Sequence, residues 1–279
     1  MTRNIDEQIR NSRTVLQDPY AYLDGDGGYE ALMPERRRTN ALIEISSIRG
    51  GTRGRPFSRP EIETIVRNLQ NSMWRRRREI FGRDDVDHSA VLDPMLALKV
   101  VGYDVVEQES LGLYAAGKDS FEVAGVMDRD NCEVRISRRF VPTMRNFTAA
   151  HELAHAVLHE GSGLHRDRAP DGSGIGARDA QEVEADIFAA FFLLPSRLVR
   201  DAFESRFLAD HFELTEATAF ALTSKNSHQL RAKLRGRRDT ARLLAEAHFY
   251  DSRHFKSLAE RFNVSTEVMA IRLEELDLV

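Results

Sequence analysis

Two histidines four residues apart, with a glutamate directly after the first, limit what this chain can fold into: His151-Glu152-Leu153-Ala154-His155. On a helix of 3.6 residues per turn, positions i and i+4 share a face, so both imidazoles can reach one ion. Glu152 projects from the neighbouring position, where it can meet a water rather than the ion. The flanking Phe147, Leu153, Ala154, Val157 and Leu158 suit a buried helix. Three fixed letters arise by chance in about 1% of chains this long, so the motif alone is only a lead. A chain with such a helix must also supply a further ligand, an open coordination position, and a second element close enough to complete the site.

That second element follows after one loop. Glu182-Val183-Glu184-Ala185-Asp186 lies on a predicted helix over about 177–194, which stops at Pro195. Glu182 and Asp186 share a face. Ala185 and Ala189 are small and allow close approach. Glu182 is therefore the expected third metal ligand, and Asp186 the acceptor that fixes the tautomer of a ligand histidine. Glu184 sits about 200° around the helix from Glu182 and is expected to point elsewhere. Ile187, Phe188, Phe191, Phe192 and Leu193 mark the helix as mostly buried, and buried acids want a metal or a charged partner. The expected cofactor is Zn2+, with Mn2+ as an alternative, and Glu152 is the expected catalytic base.

The rest of the chain frames this pair. Residues 1–85 read as an extension. Loop signals stand at 24–28 and 49–54, and an amphipathic helix is predicted over 59–81, with Ser58 and Glu61 as a capping box and Gly82 as its stop. The run Trp74-Arg75-Arg76-Arg77-Arg78 reads as a solvated face or a nucleic-acid contact. Residues 86–196 read as the metal domain. Asp93-Pro94 opens a short helix that Gly102 ends. Stretches at 103–107, 121–127 and 132–136 predict a small antiparallel sheet, and a helix runs from Pro142 to about His159. Residues 161–176 read as a long loop that lines a groove or acts as a lid. Residues 197–279 read as helical, with a helix-turn-helix-like segment at 254–279: Asn263 in the turn, Ser265 as cap, and Val268, Ile271 and Leu276 inward. The fold class is α+β.

Composition narrows the setting. The chain has 279 residues, 42% apolar and 30% charged, with a net charge of −4 and a single cysteine, Cys132. Global basicity and a disulfide framework are excluded. The polar N-terminus and the lack of a long apolar run predict a cytoplasmic protein without a membrane span. Cys132 reads as a small buried strand residue. Tyr114, His159 and His165 are candidates to steady an oxyanion, each weighed against an ordinary structural role.

The segment Arg145-Asn146-Phe147-Thr148-Ala149-Ala150-His151-Glu152-Leu153-Ala154-His155-Ala156-Val157-Leu158-His159, taken with Glu182 to Pro195, resembles the ImmA/IrrE family of metallopeptidases. The likeness covers about 93–196 and, more weakly, 254–279; it does not reach 1–85. It implies a zincin-like core and a zinc-dependent endopeptidase that cleaves or inactivates a helix-turn-helix repressor, switching on stress or mobile-element genes. The competing reading is a non-catalytic regulatory protein that docks a repressor or DNA. A DNA contact is weakly supported, because the second helix of the C-terminal segment offers Arg272 beside Glu267, Glu274 and Glu275. The basic stretch from Lys225 to Arg238 reads as a solvated helix or a face for DNA or an acidic partner.

Overall fold

The structure is a computed structural model that describes residues 41–50, 56–116, 119–159, 164–168, 180–223 and 227–279; at 114–116, 119–121 and 164–168 it describes the backbone. The loop signals at 24–28 and 51–54, and the side chains of Tyr114 and His165, lie outside the described residues. Residues Thr39–Val279 make one compact unit.

Helix α1 (Ile45–Arg49) precedes α2 (Arg59–Arg75). The Ser58 amide donates to Glu61 Oε2 at 2.9 Å and its hydroxyl to the same atom at 2.6 Å, so the capping box forms where expected. Ile62, Ile65, Val66, Leu69 and Met73 are all buried on one face. The helix does not run unbroken to residue 81. It breaks at Arg76 and resumes as α3 (Arg77–Phe81), which Gly82 ends at φ 69°. At the break the Arg77 guanidinium folds back over the Trp74 ring, 4.9 Å from its centroid, and donates to the Trp74 carbonyl. Arg76 reaches Glu79, and Arg77 and Arg78 reach Asp84. A 3-10 turn at His88–Leu92 leads into α4 (Pro94–Val100), whose first turn is held by the Asp93 carboxylate on the Met95 and Leu96 amides.

The sheet is built around one long strand. Strand β3 (Asp119–Asp128) pairs antiparallel with β2 (Leu113–Ala116) along its first half. Along its second half it pairs with β4 (Glu133–Ser137) on one side and β5 (Leu164–Arg168) on the other, both antiparallel. Strand β1 (Asp104–Gln108) lies beyond β4 and parallel to it, from Asp104 opposite Glu133 to Gln108 opposite Ser137. The expected sheet is therefore mixed rather than wholly antiparallel. β4 must run against its hairpin mate β3, and that leaves it aligned with β1. A second correction concerns 161–176. Its five residues Leu164–Arg168 form β5, although Leu-His-Arg-Asp-Arg shows no apolar alternation. Pairing to the free backbone edge of β3 supplies what side-chain pattern does not. Cys132 is corrected too: it lies just before β4, half-buried in the turn, at φ 50°.

Helices α5 (Pro142–Leu158) and α6 (Ala180–Leu193) form the centre. Every residue of α5 from Thr148 to Leu158 is buried, because the sheet, α4 and α6 all pack on it. Such a helix needs small residues, and Ala149, Ala150, Ala154 and Ala156 provide them. Ala185 and Ala189 of α6 are fully buried, and Phe188 and Phe192 stack in parallel planes. The last carbonyls of α6 lack helical partners and are satisfied from outside. Gln70 of α2 donates to the Phe192 carbonyl at 2.9 Å, and Arg272 donates to that of Leu194 at 3.0 Å.

Among the described residues after α6, the regular elements are helices apart from a two-strand ribbon, β6 (Phe249–Tyr250) with β7 (Arg253–His254). Helices α7 (Ser196–Phe207), α8 (Glu216–Thr223), α9 (Ser227–Lys233) and α10 (Arg237–Glu246) precede α11 (Leu258–Phe262) and α12 (Thr266–Glu275). Asn263 takes the left-handed turn at φ 50°, and the Ser265 hydroxyl accepts from the Val268 amide. The inward face of α12 departs from expectation. Met269, Ala270, Arg272 and Leu273 are buried with Leu276, whereas Ile271 is 39% exposed. Arg272 is buried over the Phe191 ring and also binds Ser196 and Glu275, so it is no surface cation. Burial holds its guanidinium below the ordinary range, opposed by Glu275. Glu267 and Glu274 are likewise engaged, with Arg238 and Arg242 of α10. Among the described residues no helix is long and apolar enough to cross a membrane.

Candidate metal centre

Helix α5 carries His151 and His155 one turn apart on one face, and His159, the residue that caps its C-terminal end in an extended conformation, continues the row. His151 Nε2 lies 3.0 Å from His155 Nε2, as two nitrogens directed at one point would. Glu182, at the start of α6, places Oε2 3.3 Å from His151 Nε2 and Oε1 3.5 Å from His155 Nε2. One donor atom from each of these three residues lies within 4.8 Å of the others. Two imidazole nitrogens and a carboxylate oxygen make a donor set that fits zinc and leaves a coordination position open. The donors differ in exposure: His155 is 1% exposed, while the side chain of Glu182 is 34% exposed, so the site opens on the Glu182 side.

Asp186 Oδ1 is 3.0 Å from His151 Nδ1. That contact places the proton of a neutral His151 on Nδ1 and leaves Nε2 its lone pair, which is the tautomer a metal needs. Glu182 and Asp186, one helical turn apart, thus meet the two nitrogens of the same ring from the same face of α6.

Glu152 is fully buried against β3. Gly125 makes this possible. A Cβ at that position would stand 2.7 Å from the Thr148 methyl and would run into the Glu152 carboxylate. The strand must be bare where α5 crosses it, and the sequence signal for this is a glycine within an otherwise apolar stretch, Val123 to Met127.

His159 and Glu184 form a second layer that the sequence alone did not assign. His159 Nδ1 is 2.9 Å from His155 Nδ1, and His159 Nε2 is 2.9 Å from Glu184 Oε2. The Phe57 amide donates to Glu184 Oε1 at 2.7 Å. Glu184 therefore faces away from the three donors, as its helical phase requires. His159 lies behind His155, on the side opposite the open position, so it does not face a bound carbonyl. Burial lowers its imidazole from the ordinary histidine value, while the adjacent Glu184 carboxylate pulls the other way. The Arg129 guanidinium closes the same region by donating to the His155 carbonyl at 2.5 Å.

Residues 105–222 match a peptidase family model described as the IrrE N-terminal-like domain. The match runs from β1 into α8 and so includes both helices of the site. No curated protein and no solved structure matches the chain.

Proposed function

We propose, on the premise that residues 105–222 match the metallopeptidase-type IrrE N-terminal-like domain, that this chain is a zinc-dependent endopeptidase that cleaves or inactivates a helix-turn-helix transcriptional repressor. The observation that carries the enzymatic part is the convergence of His151, His155 and Glu182 beside the buried Glu152. In this reading His151, His155 and Glu182 hold the ion, with Zn2+ preferred to Mn2+ on the nitrogen-rich donor set. The bound ion supplies Lewis acidity toward a peptide carbonyl and acidifies water. Glu152 takes a proton from the attacking water and returns it to the leaving amine. Asp186 keeps the His151 ring in its ligand tautomer. The repressor, and the release of stress or mobile-element genes, come from the family likeness.

The test uses the purified full chain and a helix-turn-helix repressor encoded beside its gene. The expected result is metal-dependent cleavage at a defined bond, read as two fragments by mass spectrometry and abolished by a chelator. Repressor inactivation that proceeds with the repressor intact would favour a non-catalytic docking protein instead.

Gly125→Ala probes the same reading from the strand side. The added methyl cannot coexist with the present position of the Glu152 carboxylate, which must rotate away or push α5 outward. Turnover is expected to fall about 10- to 100-fold, because a base displaced by about 1 Å loses its alignment. Where the carboxylate rotates rather than the helix moving, zinc content should stay near the wild-type level, since the atoms nearest that methyl belong to Glu152 and Thr148. Unchanged turnover in a folded variant would count against Glu152 as the base.

A further inference from the structure

Glu184 and His159 are both buried, and they lie on the side of His155 away from the donor cluster. Burying an ionisable pair there is costly unless every contact is complementary. The hydrogen-bond polarity of the group has one solution that leaves His155 Nε2 a lone pair. Glu184 accepts from the Phe57 amide through Oε1 and from His159 through Oε2, so His159 Nε2 carries a proton. Only one proton can lie between the two Nδ1 atoms 2.9 Å apart. If His159 supplied it, His155 would be an acceptor at Nδ1, and a neutral His155 ring would then carry its proton on Nε2. If His155 supplies it, His159 accepts at Nδ1 and the His155 Nε2 lone pair faces His151 and Glu182.

We propose that His159 and Glu184 are positioning residues that fix the tautomer and ring orientation of His155, and that the Phe57 amide makes this setting depend on docking of the segment ahead of α2. The proposal rests on the metal-site reading above. Each ligand histidine then has its own carboxylate on α6: Asp186 directly on His151, and Glu184 through His159 on His155. The indirect route follows from helix geometry. His155 lies one turn further along α5 than His151, and His159 fills the turn between it and Glu184. The Phe57 amide belongs to the residue before the Ser58 capping box, so the chain that starts α2 also supplies the last donor of the chain of contacts.

Glu184→Gln tests this without changing side-chain size. The glutamine oxygen can still accept from Phe57. Its amide nitrogen then faces His159 Nε2 and can only donate, so His159 must accept at Nε2 and carry its proton on Nδ1. That proton points at His155 Nδ1 and drives the His155 proton to Nε2, the ligand nitrogen. Two readouts separate the relay from the metal reading. In the metal-free wild type, 15N spectra of labelled histidines are expected to show His155 protonated on Nδ1, and in Glu184→Gln on Nε2. In competition with a chromophoric chelator, zinc affinity of the variant is expected to fall about 10- to 100-fold. Glu184→Asp, which keeps the carboxylate, should recover part of the affinity. Wild-type His155 protonated on Nε2 overturns the relay, as does a folded Glu184→Gln with unchanged tautomer and unchanged affinity. Absence of zinc binding by the wild type, with His155 on Nδ1, overturns the metal reading and leaves the relay standing.

Discussion

Glu152→Gln is expected to lose about three orders of magnitude in peptide hydrolysis while keeping its zinc. A positioned proton acceptor contributes on the order of 10²- to 10⁴-fold, and the amide retains the shape but cannot take a proton. The site tolerates the exchange sterically, because glutamine has the size and shape of glutamate and still fits where the bare backbone of Gly125 leaves room. Metal content should not move, since Glu152 is not among the three clustered donors. The measurement is kcat on the identified substrate together with zinc per chain. Loss of both would mean that Glu152 serves the fold or the metal; retention of both would remove it from the chemistry.

Glu182→Ala should have the converse effect, loss of the ion first and activity only in consequence. Its two carboxylate oxygens are 3.3 and 3.5 Å from Nε2 of His151 and of His155. Removing it leaves two imidazoles, too few for a structural or catalytic zinc site at low free metal. Zinc affinity is expected to drop by at least about 100-fold, more than for the outer partner Glu184. Chelator competition on the folded variant decides it. The fold should survive, because a side chain 34% exposed at the start of α6 contributes little to the core. Full zinc occupancy in Glu182→Ala, with loss in Glu184→Ala, would reverse the ligand assignment.

The convergence of His151, His155 and Glu182 was legible because helical periodicity is local. A spacing of four puts two side chains on one face wherever the helix goes, and the alanines of α6 showed that a second helix could come close. The Ser58–Glu61 capping box, the Gly82 stop and the Asn263 turn were legible for the same reason, each resting on contacts between residues a few positions apart. The parallel β1–β4 pair, strand β5 and the buried Arg272 were not. Strand partners are chosen by backbone edges that lie far apart in sequence, as 104–108 and 133–137 do, and β5 carries no apolar pattern to mark it. Arg272 looked like a surface cation because its partners, the Leu194 carbonyl and Ser196, are more than seventy positions away.

The divide is sharpest along α5. The sequence by itself determined that His151 and His155 share a face, that Glu152 leaves it, and that Glu182 and Asp186 present acids at matching spacing on another helix. Only the tertiary structure decided what stands behind them: Gly125 making room for Glu152, and His159 linking His155 to Glu184 and the Phe57 amide. The first set follows from bond geometry within a single helix. The second depends on which strand and which N-terminal segment pack against that helix, and those contacts exist only once the chain has closed on itself.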